Sequence, residues 1–141
     1  MSTRCNVAIK LKPEDLNKKL TFVENDKIHE LYTDSGFSYM FIYIHHDGYL
    51  SGVGYGLLNK LGTDYETVKN YILQGNRTSF EYPYYECKED WDDNKPNFCK
   101  SIDGPIPNDY FYLYDNGKWF YRWFKDEGNL KELTNEIINN N

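Results

Sequence analysis

The sequence predicts an α+β fold: a central, mainly antiparallel sheet, two helices after the central strand, and a C-terminal helix. Three observations predict it. The run Tyr39 to Ile44 is uniformly apolar or aromatic, as in a strand buried on at least one face. Two aromatic runs, Tyr110 to Tyr114 and Lys118 to Phe124, flank Asn116-Gly117, the preferred pair for a type I′ hairpin turn. Tyr65, Val68, Tyr71 and Ile72 recur at helical spacing ahead of Gly75, a fitting residue just past a helix end. Strands mixed with segregated helices favour this class over a doubly wound parallel sheet.

The chain of 141 residues reads as a single domain, 1–141, long enough to bury a core. Aromatic residues make up 18% of it, with 14 Tyr, so core and pockets are expected to be lined by Tyr and Phe. Tyrosine offers a flat face and a hydroxyl, suited to a nucleobase or a protein partner; it is equally a good strand former. A net charge of −6 argues against non-specific nucleic-acid binding, which needs a basic footprint. Met1-Ser-Thr-Arg-Cys5 has no apolar leader pattern, and no run is long and apolar enough to span a membrane. A cytoplasmic protein is expected, with no membrane partner and with Cys5, Cys87 and Cys99 as free thiols. No Cys-x-x-Cys pair occurs, so no metal site and no cofactor are assigned.

In chain order, Cys5, Val7, Ile9 and Leu11 alternate with Arg4, Asn6, Ala8 and Lys10, a period-two strand. If the face carrying Arg4 is covered, that side chain becomes a fork-shaped anion ligand; otherwise it is solvated. Lys12 to Asp15 breaks the strand. Residues 16–34 form an excursion with one short strand expected around Leu20 to Val23. After the central strand, Gly52 to Leu61 reads as a short helix closed by Gly62. A second helix begins at Thr63, where Thr63 and Glu66 have capping-box spacing. Thr78 to Cys87, split by Pro83, is an edge strand or extended segment. Lys88 to Pro107 reads as a long loop. Asn129 is expected to cap the last helix, with Leu130, Leu133 and Ile137 as its stripe.

The chemistry concentrates where the central strand stops, at His45-His46-Asp47-Gly48. Asp-Gly is a turn signal because Gly accepts positive φ. His45 and Asp47, two apart, can share a side of the chain. They could orient one another, hold a hydroxyl-rich ligand, or act as an acid/base pair; equally, they could simply satisfy the turn. Gly52-x-Gly-x-Gly56 lacks dinucleotide and P-loop spacing. It either lets a helix pack close to the sheet or lets a ligand approach backbone N–H groups. Arg77 and Arg122 either contact phosphate or lie at the surface.

Met1-Ser-Thr-Arg-Cys-Asn6 together with His45-His-Asp-Gly-Tyr49 and Gly52-Val-Gly54 resembles a group of small phage and prophage proteins. In that group a strand beginning T-R-x-N precedes an H-x-D-G-Y-P-x-G-V-like turn; Leu50 stands here where many carry proline. Small phage proteins of this kind often counter host defence, some by sequestering nucleotide-derived immune signals. The resemblance implies a binding protein for a small phosphorylated, nucleotide-like ligand. Arg4, Asn6, His45, Asp47, Gly48, Tyr49 and Gly52 would form its ligand-binding set, and hairpin aromatics would stack the base. One alternative is a hydrolase of such a ligand with His45, His46 and Asp47 as catalytic groups. Another is an inhibitor that covers a host enzyme with the acidic loop Glu86 to Asp93 around an exposed Trp91. The hairpin is apolar on both faces and three short helices can cover one, so a homodimer is expected.

Overall fold

The computed structural model describes residues 2–24, 26–83, 90–103, 108–125 and 130–140. Its centre is β1 (Cys5–Lys10), flanked antiparallel by β4 (Tyr39–Ile44) and parallel by β6 (Tyr110–Asp115). β5 (Asn97–Cys99) extends the sheet beyond β4. β7 (Lys118–Trp123) and β8 (Lys131–Glu132) extend it beyond β6, giving the six-strand order β5-β4-β1-β6-β7-β8. All pairings except β1–β6 are antiparallel. β2 (Lys19–Glu24) and β3 (Lys27–Tyr32) form a separate hairpin. The expected fold class is thus the observed one.

The four central strands of the large sheet, β4, β1, β6 and β7, are held by what they bury on the helical side. Cys5, Val7 and Ile9 of β1, Met40, Ile42 and Ile44 of β4, and Tyr112, Tyr114, Trp119 and Tyr121 of the β6–β7 hairpin form one core. Against them pack two π-helical segments, Leu50–Gly54 and Gly56–Leu61, and helix α1 (Tyr65–Leu73), whose Val68 and Ile72 are fully buried. The Tyr112 hydroxyl donates to the Gly48 carbonyl at 2.7 Å and Trp119 Nε1 to the Gly62 carbonyl at 2.8 Å. Buried aromatic polar tips are thereby paired, as burial demands. The hairpin turn has φ of 51° at Asn116 and 81° at Gly117, the double positive φ of the type I′ form.

Several boundaries differ from expectation. α1 starts at Tyr65, and its cap is Asp64, whose carboxylate accepts from Thr67 N at 3.0 Å; the Thr63–Glu66 box does not form. Gly75 follows the helix with φ of 94°, as expected. The excursion after Pro13 holds two strands, β2 and β3, where one was expected. Lys88 to Pro107 is not all loop: it contains α2 (Trp91–Asn94) and β5. The last helix, α3 (Asn135–Asn139), is capped by Thr134, which accepts from Ile137 N. Asn129 and residues 84–87 of the segment expected over Thr78 to Cys87 lie outside the described residues.

Trp91 is buried, stacks on His29 at 4.6 Å, and donates Nε1 to the Leu73 carbonyl at 2.8 Å. It is a core anchor and not the exposed centre of an acidic docking loop. Asp90, Asp92 and Asp93 are exposed; Glu86 and Glu89 lie outside the described residues. On the second sheet face Ala8, Phe111 and Leu113 are buried, packed with Tyr39, Phe41 and Phe120 of neighbouring strands and with Ile102 and Leu130; none of these residues is helical.

Asp15 ties the excursion to α1. It accepts from the Tyr65 hydroxyl at 2.7 Å and pairs with Lys69 at 3.1 Å. Burial alone would raise its pKa, but bonds from Tyr65, Lys69 and Lys18 outweigh that and hold the carboxyl below its usual value.

Candidate functional site

β4 ends at Ile44, and the backbone then pairs with the segment after α1. His45 N donates to the Arg77 carbonyl at 3.1 Å and His46 N to the Thr78 carbonyl at 2.8 Å. Strand alternation has ceased at this point, so the two imidazoles are free to meet: their centroids are 4.5 Å apart, edge to face. Each Nδ1 has a hydroxyl partner at 2.6 Å, Tyr43 for His45 and Ser2 for His46. Partial desolvation, the His46 ring and Arg4 lower the His45 pKa, so that ring is neutral at pH 7. Burial raises the Tyr43 hydroxyl, which therefore keeps its proton.

Arg4 is exposed, and its backbone N–H donates to Asp109 Oδ2 at 3.0 Å. Its guanidinium lies near enough to Tyr43 and His45 to bias both titrations. Among the described residues it makes no ion pair and no side-chain hydrogen bond. Asn6 is buried and engaged at both ends of its amide: Nδ2 donates to the Ile42 carbonyl at 3.3 Å, and Oδ1 accepts from Asn108 at 2.6 Å. It straps β1 to its neighbours instead of facing a ligand.

Asp47 parts from the imidazoles. It takes the positive φ expected of Gly48, 58°, and its carboxylate accepts from the Tyr49 hydroxyl at 3.3 Å. It lines a cleft of about 330 Å³ with Ser51, Gly52, Tyr55, Lys60 and Tyr82, whose walls include neither histidine. Gly48 is required for close approach: a Cβ there would lie 2.9 Å from the Arg4 carbonyl carbon and 3.0 Å from the Thr3 oxygen. A Cβ on Gly52 would overlap the Asp47 carbonyl oxygen, and one on Gly56 would stand 2.9 Å from the Phe80 ring. The glycines therefore serve packing. The Gly52 and Gly54 N–H groups both donate to the Tyr49 carbonyl, and the Val53 N–H donates to the Asp47 carbonyl.

The expected set thus divides in two. His45 and His46 meet at the strand end with Tyr43 and Ser2 on their Nδ1 atoms, and Arg4 is within electrostatic reach of His45. Asp47 is apart from them, bonded to Tyr49 and lining a cleft with Gly52. Tyr43 was legible as the residue two before His45; the Ser2 contact spans 44 residues and has no local signal. Arg77 is buried, with Nε donating to the Phe80 carbonyl at 2.9 Å and its plane over Tyr71, so it neither lies at the surface nor faces a ligand. Arg122 is half-buried and donates to the Ile102 carbonyl at 2.9 Å. Of the hairpin aromatics, Tyr112, Tyr114, Trp119 and Tyr121 are core. Trp123 and Phe124 are exposed at the end of the sheet that also carries Arg4.

Among the described residues no group of three metal-ligating side chains converges, and no helix is long and apolar enough to cross a membrane. Comparison with family models, curated protein sequences and solved structures finds no match.

Proposed function

We propose that this protein binds a small phosphorylated, nucleotide-like ligand at the Arg4–His45–His46 cluster and holds it without turnover. In the setting the phage resemblance implies, it acts as a sponge for a nucleotide-derived immune signal in the host cytoplasm. The observation that carries the reading is the Arg4 guanidinium, without an ion pair among the described residues, within electrostatic reach of His45, together with two neighbouring imidazoles whose Nδ1 atoms each have a hydroxyl partner. If Tyr43 and Ser2 donate to Nδ1, each ring keeps its proton on Nε2 and becomes a donor toward phosphate oxygens. Arg4 adds a planar fork of charge-assisted donors. Asp47, the carboxylate expected to act with His45, lines a cleft that includes neither histidine; this favours binding over hydrolysis by a His45–Asp47 pair. Trp123 and Phe124 are the rings available to a base.

The test is isothermal titration with ADP-ribose and with inorganic pyrophosphate. Losing charge-assisted bonds worth about 1.5–3 kcal/mol, Arg4→Ala weakens both by at least about tenfold while the circular dichroism spectrum is kept. Equal affinity in the variant rejects the assignment.

The homodimer belongs to the same proposal, at a different face. The most exposed of the large apolar side chains among the described residues are Tyr32, Ile28 and Val23, on the outside of the β2–β3 hairpin. Lys19 and Glu30 pair at 3.1 Å on that surface, a charge arrangement that can repeat across a two-fold axis.

A further inference from the structure

The cleft on the Asp47 side has its own chemistry. Its floor is glycine, Gly52 and Gly56, and its polar lining includes Ser51, Ser79 and the Asp47 carboxylate. Tyr55 and Tyr82 stand on its walls, 45% and 60% exposed. Lys60 and Glu81 pair with each other at 3.0 Å on the rim, so the Asp47 carboxylate, which accepts from the Tyr49 hydroxyl at 3.3 Å, is the lining carboxylate without a cation partner among the described residues. The two π-helical segments, Leu50–Gly54 and Gly56–Leu61, both contribute to the cleft; such widened turns are rare and often accompany functional sites.

We propose that this cleft binds the hydroxyl-rich ring of a sugar, with Asp47, Ser51 and Ser79 meeting hydroxyls and Tyr55 and Tyr82 offering flat faces to the ring. The proposal goes beyond the anion reading and shares no residue with it. A volume of about 330 Å³ accommodates one such ring. A leftover carboxylate disfavours a phosphate but accepts hydroxyl donors, and serine hydroxyls both donate and accept. A quaternary cation calls for rings gathered around one point; among the described residues, no ring contact joins Tyr55, Phe80 and Tyr82 to one another.

The experiment is amide NMR of the full chain titrated separately with D-ribose, methyl α-D-glucoside, tetramethylammonium and inorganic phosphate. A sugar is expected to move the Ser51, Gly52 and Gly56 amides saturably. Asp47→Asn and Tyr82→Ala are each expected to weaken it about threefold to tenfold, the loss of a hydrogen bond or a stacking face. Asn suits the 58° φ of residue 47, so that variant removes charge without disturbing the turn. Arg4→Ala leaves sugar binding intact. The proposal is overturned if neither sugar moves these amides, if tetramethylammonium or phosphate moves them where sugars do not, or if Arg4→Ala abolishes the sugar response.

Discussion

Gly48→Ala is the substitution through which the fold and the candidate site fail together. Its new Cβ would lie 2.9 Å from the Arg4 carbonyl carbon, 3.0 Å from Cys5 Cβ and 3.0 Å from the Thr3 oxygen. Two of these atoms are backbone, so no flexible side-chain end can yield, and the turn must lift off the start of β1. Overpacking of this kind costs about 1–3 kcal/mol. The lift also strains two bonds, Gly48 N to the Thr3 carbonyl at 2.9 Å and the Tyr112 hydroxyl to the Gly48 carbonyl at 2.7 Å, each worth about 1 kcal/mol. The combined loss is about 2–4 kcal/mol if the bonds partly survive. For 141 residues the unfolding entropy is about 0.3 kcal/mol/K, so calorimetry should show Tm falling by about 7–13 °C. Gly36→Ala is the control: its Cβ would find only the Asp34 Oδ1 atom, 3.5 Å away, so it should cost nothing. A Gly48→Ala protein that melts with the wild type refutes the close-approach argument.

Further outcomes are expected. Lys69→Met leaves the buried Asp15 with a weakened set of partners and costs about 3 kcal/mol by denaturant titration. Because the folded Asp15 pKa is lowered, its contribution to stability is complete above the unfolded value. It is lost as pH falls through the folded value, so acid melts of wild type and Asp15→Asn converge at low pH. Trp91→Ala costs about 3–5 kcal/mol, seen as a reduced urea midpoint; a neutral result would return Trp91 to the surface. His45, whose pKa is lowered by desolvation, the His46 ring and Arg4, titrates in imidazole NMR below the ordinary histidine value, and Arg4→Ala moves it part of the way back upward. Light scattering gives about twice the 16.8 kDa chain mass, and Ile28→Lys restores the monomer if the β2–β3 face is the contact.

What the sequence disclosed follows the range of each interaction. Asn116-Gly117, the Tyr39–Ile44 run and Gly75 encode their conformations locally, and all three were legible. The Thr63–Glu66 spacing misled because Asp64, one residue later, caps the helix instead by accepting from Thr67 N. β3 was missed although it pairs locally with β2, Glu24 opposite Lys27: Lys27-Ile-His-Glu-Leu-Tyr32 alternates only loosely, and two of its apolar residues, Ile28 and Tyr32, are exposed. At the candidate site, the types of residue were legible but their sides were not. Whether Asp47 faces His45 depends on one φ angle, and the sequence assigned the positive value to Gly48. Trp91 looked like a surface anchor because acidic neighbours dominate its sequence, yet its ring is placed by His29 and Leu73, contacts with no local trace.

The central claim, binding without turnover, is met most directly by retention and recovery. The protein is incubated with ADP-ribose derivatives and cyclic oligonucleotides, separated from free ligand, heated to release what it holds, and the released molecule is weighed by mass spectrometry. The account predicts one signal returned intact by the wild type and little retained by Arg4→Ala. Release of a cleaved product, or retention that is the same without Arg4, would contradict it.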